Sequence, residues 1–327
     1  MDKVESGPIA PELNRYNIST EAYKVFYHVA REGSISRAAE KLFITQPAVS
    51  RTIRQLEEKI GTMLLFRTSK GVKLTNEGQI LFGFVEQAFN YLALGEKMLT
   101  QMKALDSGSI SIGVGDSICK LYLLPYLKRY HTDYPNIDIH ITNQKSHEII
   151  DMLKRGEIDV GIINLPIEDE TLRITSVMDI HDCFAVGRKY LHLTEKPLPL
   201  SELVHYPVML IEKGTNSRRY VEEFLKLHGV NVQPDFELGN FELLAQFAMI
   251  NLGVACIVRE YFPVEFESGM LYSVPLEEEI PARSIGLATL KVVPLSAATK
   301  ELIYLLTNKK KGAPQDTDDM EKNSILF

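Results

Sequence analysis

One short stretch places hydrogen-bonding side chains at the spacing of a single helix face: Gln46, Ser50, Arg51 and Arg54. A glutamine amide can pair with two atoms of an adenine edge, and an arginine guanidinium with two of guanine. Thr45 before the stretch is a good N-cap, and Pro47 falls in the first turn, where its missing N–H is no loss. The chemistry that this face favours is hydrogen bonding to the bases and phosphates of DNA.

The elements that position this face are two short helices between Gly33 and Gly61. The first has Ser34 as its predicted N-cap and Ile35, Ala38, Ala39 and Leu42 on one face. The second continues from Thr45, and its apolar stripe is Ala48 or Val49, Ile53, Leu56 and Ile60. Two helices joined by a tight break, with one donor-rich outer face, predict a helix-turn-helix. The alternative is an ordinary helical hairpin with a solvated face.

Charge favours the DNA-binding interpretation. Between Arg31 and Lys73 nine basic residues face four acidic ones, a net charge of +5, whereas the whole chain carries −7. A basic segment in an acidic protein is typical of a module that binds phosphates.

Short elements flank these helices. Residues 1–17 are polar and without period, so we expect a flexible leader, followed by a helix capped at Ser19 or Thr20. After Gly61, two short apolar stretches around a Thr68–Gly71 turn predict a hairpin, or wing. The wing would present three basic side chains to phosphates: Arg67, Lys70 and Lys73.

A long amphipathic helix follows, predicted from Thr75 to Gln101. Its apolar seam recurs every three or four residues, and a seam of that length favours a partner helix from a second copy of the chain. The alternative is packing within its own chain. The seam residues are Leu81, Phe84, Ala88, Tyr91, Gly95, Met98 and Met102.

Beyond residue 108 strands and helices alternate with short connections, which predicts an α/β fold with parallel strands. Two lobes are expected, with lobe I at about 108–178 plus 283–307 and lobe II at about 179–282. The predicted domains are therefore the leader (1–17), a winged helix-turn-helix (18–75), a linker helix (76–103), an effector-binding domain (108–307) and a disordered tail (308–327).

Ligands of open α/β lobes lie at the carboxyl ends of strands, where helix N-termini present N–H groups. Small polar and basic side chains at these positions favour an anionic small molecule such as a carboxylate. Asp116 is the exception, since it would repel an anion or instead pair with an amino group. The candidate effector-binding residues are Asp116, Ser117, Ile118, Ser146, Lys213, Thr215, Asn216, Ser217, Arg218, Asn240 and Phe241. The same candidate loops contain Gly115, Gln144, Lys145 and Gly214, and Ser146 is also the predicted N-cap of its helix.

Composition argues against several other classes of protein. No apolar run is long enough for a membrane span, and the first residues lack the basic start and apolar stretch of a signal peptide. The three cysteines are widely spaced, as in a reduced cytoplasmic protein, and no Cys/His pair has the spacing of metal ligands. No nucleophile elbow, phosphate-binding glycine loop or triad order is visible. We therefore expect a cytoplasmic protein that is not an enzyme and has no metal or cofactor.

The run SISRAAEKLFITQPAVSRTIRQLEEKIGTMLLFRTSKGVKLTNEG closely resembles the winged helix-turn-helix signature of LysR-type transcriptional regulators. The resemblance continues through LLPYLKRYHTDYP and LKRGEIDVGII to about Thr307. It implies a DNA-binding head, a dimerising linker helix and a two-lobed effector domain like a periplasmic binding protein. Transferred to this sequence, the family's DNA contacts fall on Ser36, Arg37, Thr45, Gln46, Pro47, Ser50, Arg51, Arg54, Arg67, Lys70 and Lys73.

The function that the resemblance implies is control of promoters in response to a small metabolite bound between the lobes. The expected partners are promoter DNA, that inducer, further copies of the chain in a dimer or tetramer, and RNA polymerase. Cys119 lies close to the predicted ligand site, which leaves a redox-responsive regulator as an alternative. An enzyme using the α/β cleft and a solute-binding protein for transport are more distant alternatives.

Overall fold

A computed structural model of the protein describes residues 18–68, 71–101 and 108–308. The predicted leader, Lys70, Met102 and the predicted tail from residue 309 lie outside the described residues, as do the side chains of Arg67 and Met98. The chain forms two compact units, one up to Glu96 and one from Lys97 onward.

The first unit has the predicted order of helices and wing. Its elements are α1 (Thr20–Glu32), α2 (Ile35–Leu42), α3 (Gln46–Ile60), β1 (Leu65–Thr68), β2 (Gly71–Leu74) and α4 (Asn76–Gln101). The three N-caps are confirmed, because the hydroxyl groups of Ser19, Ser34 and Thr45 accept hydrogen bonds from first-turn N–H groups. Strands β1 and β2 pair antiparallel, which confirms the predicted wing hairpin.

One apolar core holds the three helices and the wing together. It contains Phe26 from α1, Ala38 and Ala39 from α2, and Val49 and Leu56 from α3. Of the stripe predicted for α3, Ile53 is also buried, Ile60 is half-buried and Ala48 is exposed. The helical period therefore identified which face of α3 packs inward, and the opposite face is left to solvent.

Backbone contact fixes the wing against the end of α1. The Val72 N–H donates to the Gly33 carbonyl at 2.9 Å. A Cβ on Gly71 would lie 2.4 Å from that same carbonyl oxygen, and Gly71 has a φ of +126°. Only glycine allows this approach without displacing backbone. The Glu57 carboxylate accepts from the Leu64 N–H at 2.8 Å, which ties α3 to the start of the wing.

Helix α4 is attached to the head by its first turns. The Thr75 hydroxyl accepts from the Gly78 N–H at 2.9 Å and donates to the Met63 carbonyl at 2.8 Å. Higher up, the ring of Tyr27 in α1 stacks on Phe82 with centroids 5.7 Å apart and contacts Phe89 at 5.6 Å. This aromatic cluster fixes the direction in which α4 leaves the head.

The second unit contains both predicted lobes. Lobe I begins with β3 (Gly108–Val114), α5 (Asp116–Ile118), a π-helical turn (Cys119–Leu123), α6 (Leu124–Asp133), β4 (Ile137–Asn143), α7 (Ser146–Lys154), β5 (Val160–Asn164) and β6 (Leu172–Ile180). Lobe II contains β7 (Asp182–Val186), β8 (Val208–Ile211), α8 (Asn216–Leu227), β9 (Phe236–Leu238), α9 (Phe241–Met249), β10 (Val254–Val258), α10 (Pro263–Glu267) and β11 (Tyr272–Val274). The chain then returns to lobe I as β12 (Arg283–Leu290) and α11 (Ala297–Thr307).

Each lobe is built on a mixed five-stranded sheet, with strand orders β4-β3-β5-β12-β6 and β11-β7-β10-β8-β9. Strands β3, β4 and β5 are parallel, as are β8, β9 and β10, which confirms the predicted α/β class. The strands next to the crossovers run antiparallel, since β12 pairs with β5 and β6, and β7 with β10 and β11. Strands β6 and β11 were not predicted from the sequence. This crossover order places the carboxyl ends of β3, β4 and β5 and those of β8 and β9 near one cleft.

Two glycines of α4 give a test of how tightly this helix is seated. A Cβ on Gly78 would lie 2.0 Å from the Leu64 carbonyl oxygen, whereas nothing lies within 4 Å of one on Gly83. We expect Gly78→Ala to lower the free energy of unfolding by about 1–3 kcal/mol, because backbone must move. Gly83→Ala should raise it by about 0.5–1 kcal/mol, the usual helix preference for alanine. Urea denaturation of both variants measures the two changes in the free energy of unfolding. If both changes have the same sign, the close contact of Gly78 with the Leu64 carbonyl is contradicted.

Candidate functional site

The first candidate site is the outer face of α3. Gln46, Arg51 and Arg54 are exposed, and Ser50 beside them is half-buried. Within the described part of the chain, the side chains of Gln46, Arg51 and Arg54 form no hydrogen bond or ion pair. The apolar side of α3 is buried in the head, so these donors are held on a rigid element and are free to bind an external ligand.

The other residues predicted to contact DNA differ in their surroundings. Thr45 is the exposed N-cap of α3, and its hydroxyl already accepts from the Ala48 N–H. Pro47 is exposed in the first turn of this helix. Arg37 is exposed at the start of α2, and its guanidinium donates to the Glu32 carbonyl, while Ser36 is half-buried. On the wing Lys73 is exposed.

One acidic residue of the head, Glu32, has a cationic partner. Lys41 and Glu32 form an ion pair at 2.6 Å, and the hydrogen bond from Lys41 lowers the pKa of Glu32. Burial lowers the pKa of His28, and the ammonium groups of Lys24 and Lys41 lower it further. The segment from Arg31 to Lys73 has nine basic residues against four acidic ones, and this excess of positive charge favours phosphate binding.

The second candidate site is a cavity of about 340 Å³ between the two lobes of the second unit. Lobe I contributes the loop after β3 and the turn between β4 and α7, and lobe II contributes the starts of α8 and α9. The cavity brings together nine of the predicted effector residues: Asp116, Ser117, Ile118, Ser146, Thr215, Asn216, Ser217, Asn240 and Phe241.

Two predicted effector residues do not line this cavity. Lys213 is exposed and lies 3.8 Å from the Glu237 carboxylate. Arg218 is buried, donates to the Ile211 carbonyl at 2.7 Å and pairs with Glu222 at 2.7 Å. Both cations are thus engaged with acids or backbone of lobe II.

Ser146 has a different role from the one predicted. The N-cap of α7 is Lys145, so the prediction that Ser146 caps this helix is wrong by one residue. The Ser146 hydroxyl instead accepts from the Asn164 N–H at 3.1 Å, and the Glu148 carboxylate accepts from the Lys145 N–H at 3.0 Å. The serine therefore joins α7 to the end of β5, while Glu148 satisfies the helix terminus.

Hydrogen bonds and one ion pair cross the cleft. The Asn216 amide donates to the Asn164 carbonyl at 2.7 Å and to the Pro166 carbonyl at 3.3 Å. Lys145 pairs with Glu212 of lobe II at 2.5 Å. These contacts fix the separation of the lobes at the edge of the cavity.

Below the cavity, a buried ion pair joins the two crossovers. Asp182 begins β7 and Arg283 begins β12, and their side chains are both 1% exposed and paired at 2.5 Å. The same guanidinium donates to Asn164 Oδ1 at 2.7 Å and to Ser217 Oγ at 3.0 Å. Burial opposes the charge of Arg283, but the adjoining carboxylate outweighs burial and raises the pKa of the guanidinium. Asn164 and Ser217 both line the cavity, so the pair lies directly behind its wall.

Sequence reasoning missed six residues of the cavity wall: Asn143, Glu148, Asn164, Ile211, Gly239 and Tyr261. Most of these residues end a strand or begin a helix, so listing every strand end would have found them. Tyr261 had no such signal. It follows β10 and enters the wall by packing on Phe241, with ring centroids 5.4 Å apart.

The three thiols are not activated. Burial, followed by the Asp116 charge, raises the pKa of Cys119. Burial raises the pKa of Cys183 to about 12 and also raises that of Cys256. A raised pKa lowers the thiolate fraction, and the thiolate is the species that reacts with oxidants.

In the described ranges, no group of three or more His, Cys, Asp or Glu side chains could hold a metal ion. None of the helices in those ranges is long and apolar enough to cross a membrane.

Two family models match the chain. Residues 20–79 match the bacterial regulatory helix-turn-helix protein, lysR family, and residues 103–311 match the LysR substrate binding domain. Among curated proteins, a probable RuBisCO transcriptional regulator of Emiliania huxleyi is 26% identical over 271 residues, which cover 81% of this chain and 86% of the relative.

Solved structures share the fold. A full-length OxyR variant from Pseudomonas aeruginosa superposes with a TM-score of 0.60 at 18% identity, covering 89% of this chain and 94% of that one. Full-length CbnR complexed with its target DNA superposes with a TM-score of 0.58 at 17% identity, covering 88% and 98%.

The buried pair behind the cavity yields a stability prediction. Asp182→Asn removes the negative charge and leaves the Arg283 guanidinium buried without a counter-ion. The free energy of unfolding should fall by about 3–5 kcal/mol. The matched control is Glu223→Gln, which breaks an exposed pair with Arg219 at 3.9 Å and should change it by less than about 1 kcal/mol. Denaturant titrations of both variants make the comparison, and equal losses would show that the buried pair contributes no more than a surface one.

Proposed function

The chain belongs to the LysR family of DNA-binding transcriptional regulators, and we propose that it controls promoters in response to a small molecule held between its two lobes. The observation that carries the proposal is the outer face of α3. It presents Gln46, Arg51 and Arg54 without side-chain partners among the described residues, on a helix whose other face is locked into the head core.

We propose that α3 enters the major groove and that the wing meets the phosphates beside it. Arg51 and Gln46 can each form two hydrogen bonds to a base edge, which gives sequence preference. Lys73 and Arg54 are placed to meet phosphates, which give affinity and orientation without sequence information. For Lys70 and Arg67, the proposal rests on the resemblance alone.

The exposed side of α4 supports dimerisation through this helix. Ile80, Phe84 and Leu92 are 65%, 71% and 58% exposed, and Leu99 continues the same side of the helix. Of the predicted seam, Ala88 and Gly95 are exposed as well, while Leu81 and Tyr91 are half-buried. An apolar stripe of this length is stabilised when a second copy covers it. Two heads in a dimer match two half-sites, and a tetramer would pair two such dimers.

The cavity supports a small-molecule effector. The first turns of α7, α8 and α9 all reach its wall, so backbone N–H groups are available for a carboxylate. A ligand that touches Asn164 and Ser217 contacts both lobes, and therefore alters the free energy difference between open and closed lobe arrangements.

We extend the proposal to the setting in which the protein acts. It would work in the cytoplasm, without a cofactor or a metal and without catalysing a reaction, and it would meet RNA polymerase at the promoter. A redox-responsive regulator is the weaker candidate, because the pKa values of all three thiols are raised.

Two head variants test the DNA contacts. Arg51→Ala should weaken binding to the operator about tenfold or more and reduce the preference for operator over scrambled duplex, because a base contact is lost. Lys73→Ala should weaken binding to both duplexes equally, because only a phosphate contact is lost. The slope of log affinity against log salt concentration should become shallower by about one. Fluorescence anisotropy at several salt concentrations measures both effects. Unchanged operator affinity in Arg51→Ala would exclude the contact, and Lys226→Ala in lobe II is the control for a lost surface charge.

The α4 interface is tested by charge. Phe84→Glu places a carboxylate in the exposed apolar stripe and should shift the protein to monomers, because the charge would be buried in the dimer. Gln79→Glu adds the same charge at another exposed position of α4 and should leave the mass unchanged. Sedimentation equilibrium gives the masses, and a Phe84→Glu protein that remains a dimer would move the interface elsewhere.

A further inference from the structure

The charged residues of the cavity identify the kind of molecule that fits it. Of the described residues in its wall, three are charged: Asp116, Lys145 and Glu148. The only cation among them, Lys145, is already paired with Glu212 at 2.5 Å. A purely anionic ligand would therefore meet two carboxylates and one lysine whose charge is compensated.

The two carboxylates have different surroundings. Glu148 accepts from the Lys145 N–H, so it serves the start of α7. Asp116 is exposed to the cavity and accepts a hydrogen bond from the Asn143 amide, and no cation in the described ranges pairs with it. The neutral amide orients the carboxylate and leaves its negative charge uncompensated. Asp116 is therefore ready to pair with a cation from outside.

The opposite wall offers the complementary chemistry. Helix α8 begins at Asn216 with Thr215 as N-cap, and α9 begins at Phe241 with Asn240 as N-cap. Among the described residues that line the cavity, none from lobe II is acidic, although Glu242 lies 3.5 Å from the Ser117 hydroxyl at its edge. The first turn of α8 contains no acidic residue, so its N–H groups and positive end favour a carboxylate there, whereas Glu242 lies in the first turn of α9.

The wall between these polar regions is apolar. Ile118, Ile211, Phe241 and Tyr261 supply its aliphatic and aromatic surface. Burial raises the pKa of the Tyr261 hydroxyl, so this side chain stays neutral. A carbon skeleton of a few atoms would lose its water here on binding.

We propose that the effector is a small zwitterion of the amino-acid class, with its protonated amine paired to Asp116, its carboxylate at the first turn of α8, and its carbon skeleton against the apolar wall. The inference rests on the proposed function, since it assigns a chemical class to the cavity proposed as the effector site. Asp116, rather than a cation, is then the residue that selects the ligand, whereas the residue types alone favoured an anion.

The test compares molecules that share a skeleton. Each proteinogenic L-amino acid is measured against the 2-oxo acid and the decarboxylated amine of the same skeleton, by thermal shift and then calorimetry on the full-length protein. At least one amino acid should raise the melting temperature, and its two analogues should bind about tenfold more weakly or worse, because each lacks one charged partner.

Two variants of the cavity sharpen the result. Asp116→Asn should weaken binding of the amino acid about tenfold or more, while binding of its 2-oxo acid should be unchanged or tighter. Glu212→Gln frees Lys145 from its partner and should improve binding of 2-oxo acids. Asp138→Asn removes an exposed carboxylate of lobe I that does not line the cavity, and it should match the original protein.

The outcomes separate the two proposals. A 2-oxo or dicarboxylic acid that binds as well as the amino acids, or an Asp116→Asn protein with unaltered amino-acid affinity, overturns the zwitterion and leaves the cavity as an effector site. If no amino acid binds but a molecule of another chemical class does, the zwitterion proposal is likewise overturned and the cavity remains an effector site. If no molecule of any class shifts the melting temperature, the effector role of the cavity is itself wrong.

Discussion

The effector unit depends on one buried ion pair, between Asp182 at the first crossover and Arg283 at the second. Removing both charges from water costs several kcal/mol per ion, so the pair is tolerated only where its geometry is complete. It is complete here, because the guanidinium also donates to Asn164 of lobe I and Ser217 of lobe II. A single side chain therefore joins both strands of the hinge to both walls of the cavity. The lobes cannot change their separation without altering at least one of its hydrogen bonds.

This arrangement gives the cavity a physical connection to the hinge. The Asn164 side chain accepts from Arg283, while its backbone carbonyl accepts from the Asn216 amide of lobe II. A ligand competing for either group changes the hydrogen bonds that hold the lobes, and it can shift the lobe equilibrium only by its difference in affinity for the two arrangements. The Lys145–Glu212 pair at the edge adds a second, more exposed contact that salt can weaken.

The features that could be predicted from the sequence are those that depend on interactions between residues close together in the chain. The helix-turn-helix was predicted with its caps, because Ser34 and Thr45 act on N–H groups three residues away and the apolar stripe is a local pattern. The parallel strands were predicted from short apolar runs. Strand β6 was missed because polar and charged residues interrupt it, and β11 because three residues carry no period. The N-cap predicted for α7 was wrong by one residue, because the Ser146 hydroxyl accepts a hydrogen bond from the Asn164 N–H of another element.

The charged residues near the cavity show most clearly that contacts between elements could not be predicted from the sequence. Lys213 and Arg218 precede or begin a helix at a strand end, and by residue type they favour an anion. Their actual partners, Glu237 for both and Glu222 for Arg218, lie on β9 and farther along α8. The Glu222 pair is an i,i+4 pair within α8, whereas Glu237 reaches Lys213 and Arg218 only after folding. An ion pair between elements cancels a charge that composition counts in full. The sign of the charge that a ligand site prefers therefore depends on the tertiary structure. In this cavity the cation that remains is compensated by Glu212, whereas Asp116 has only a neutral amide, which reverses the preference expected from the residue types alone.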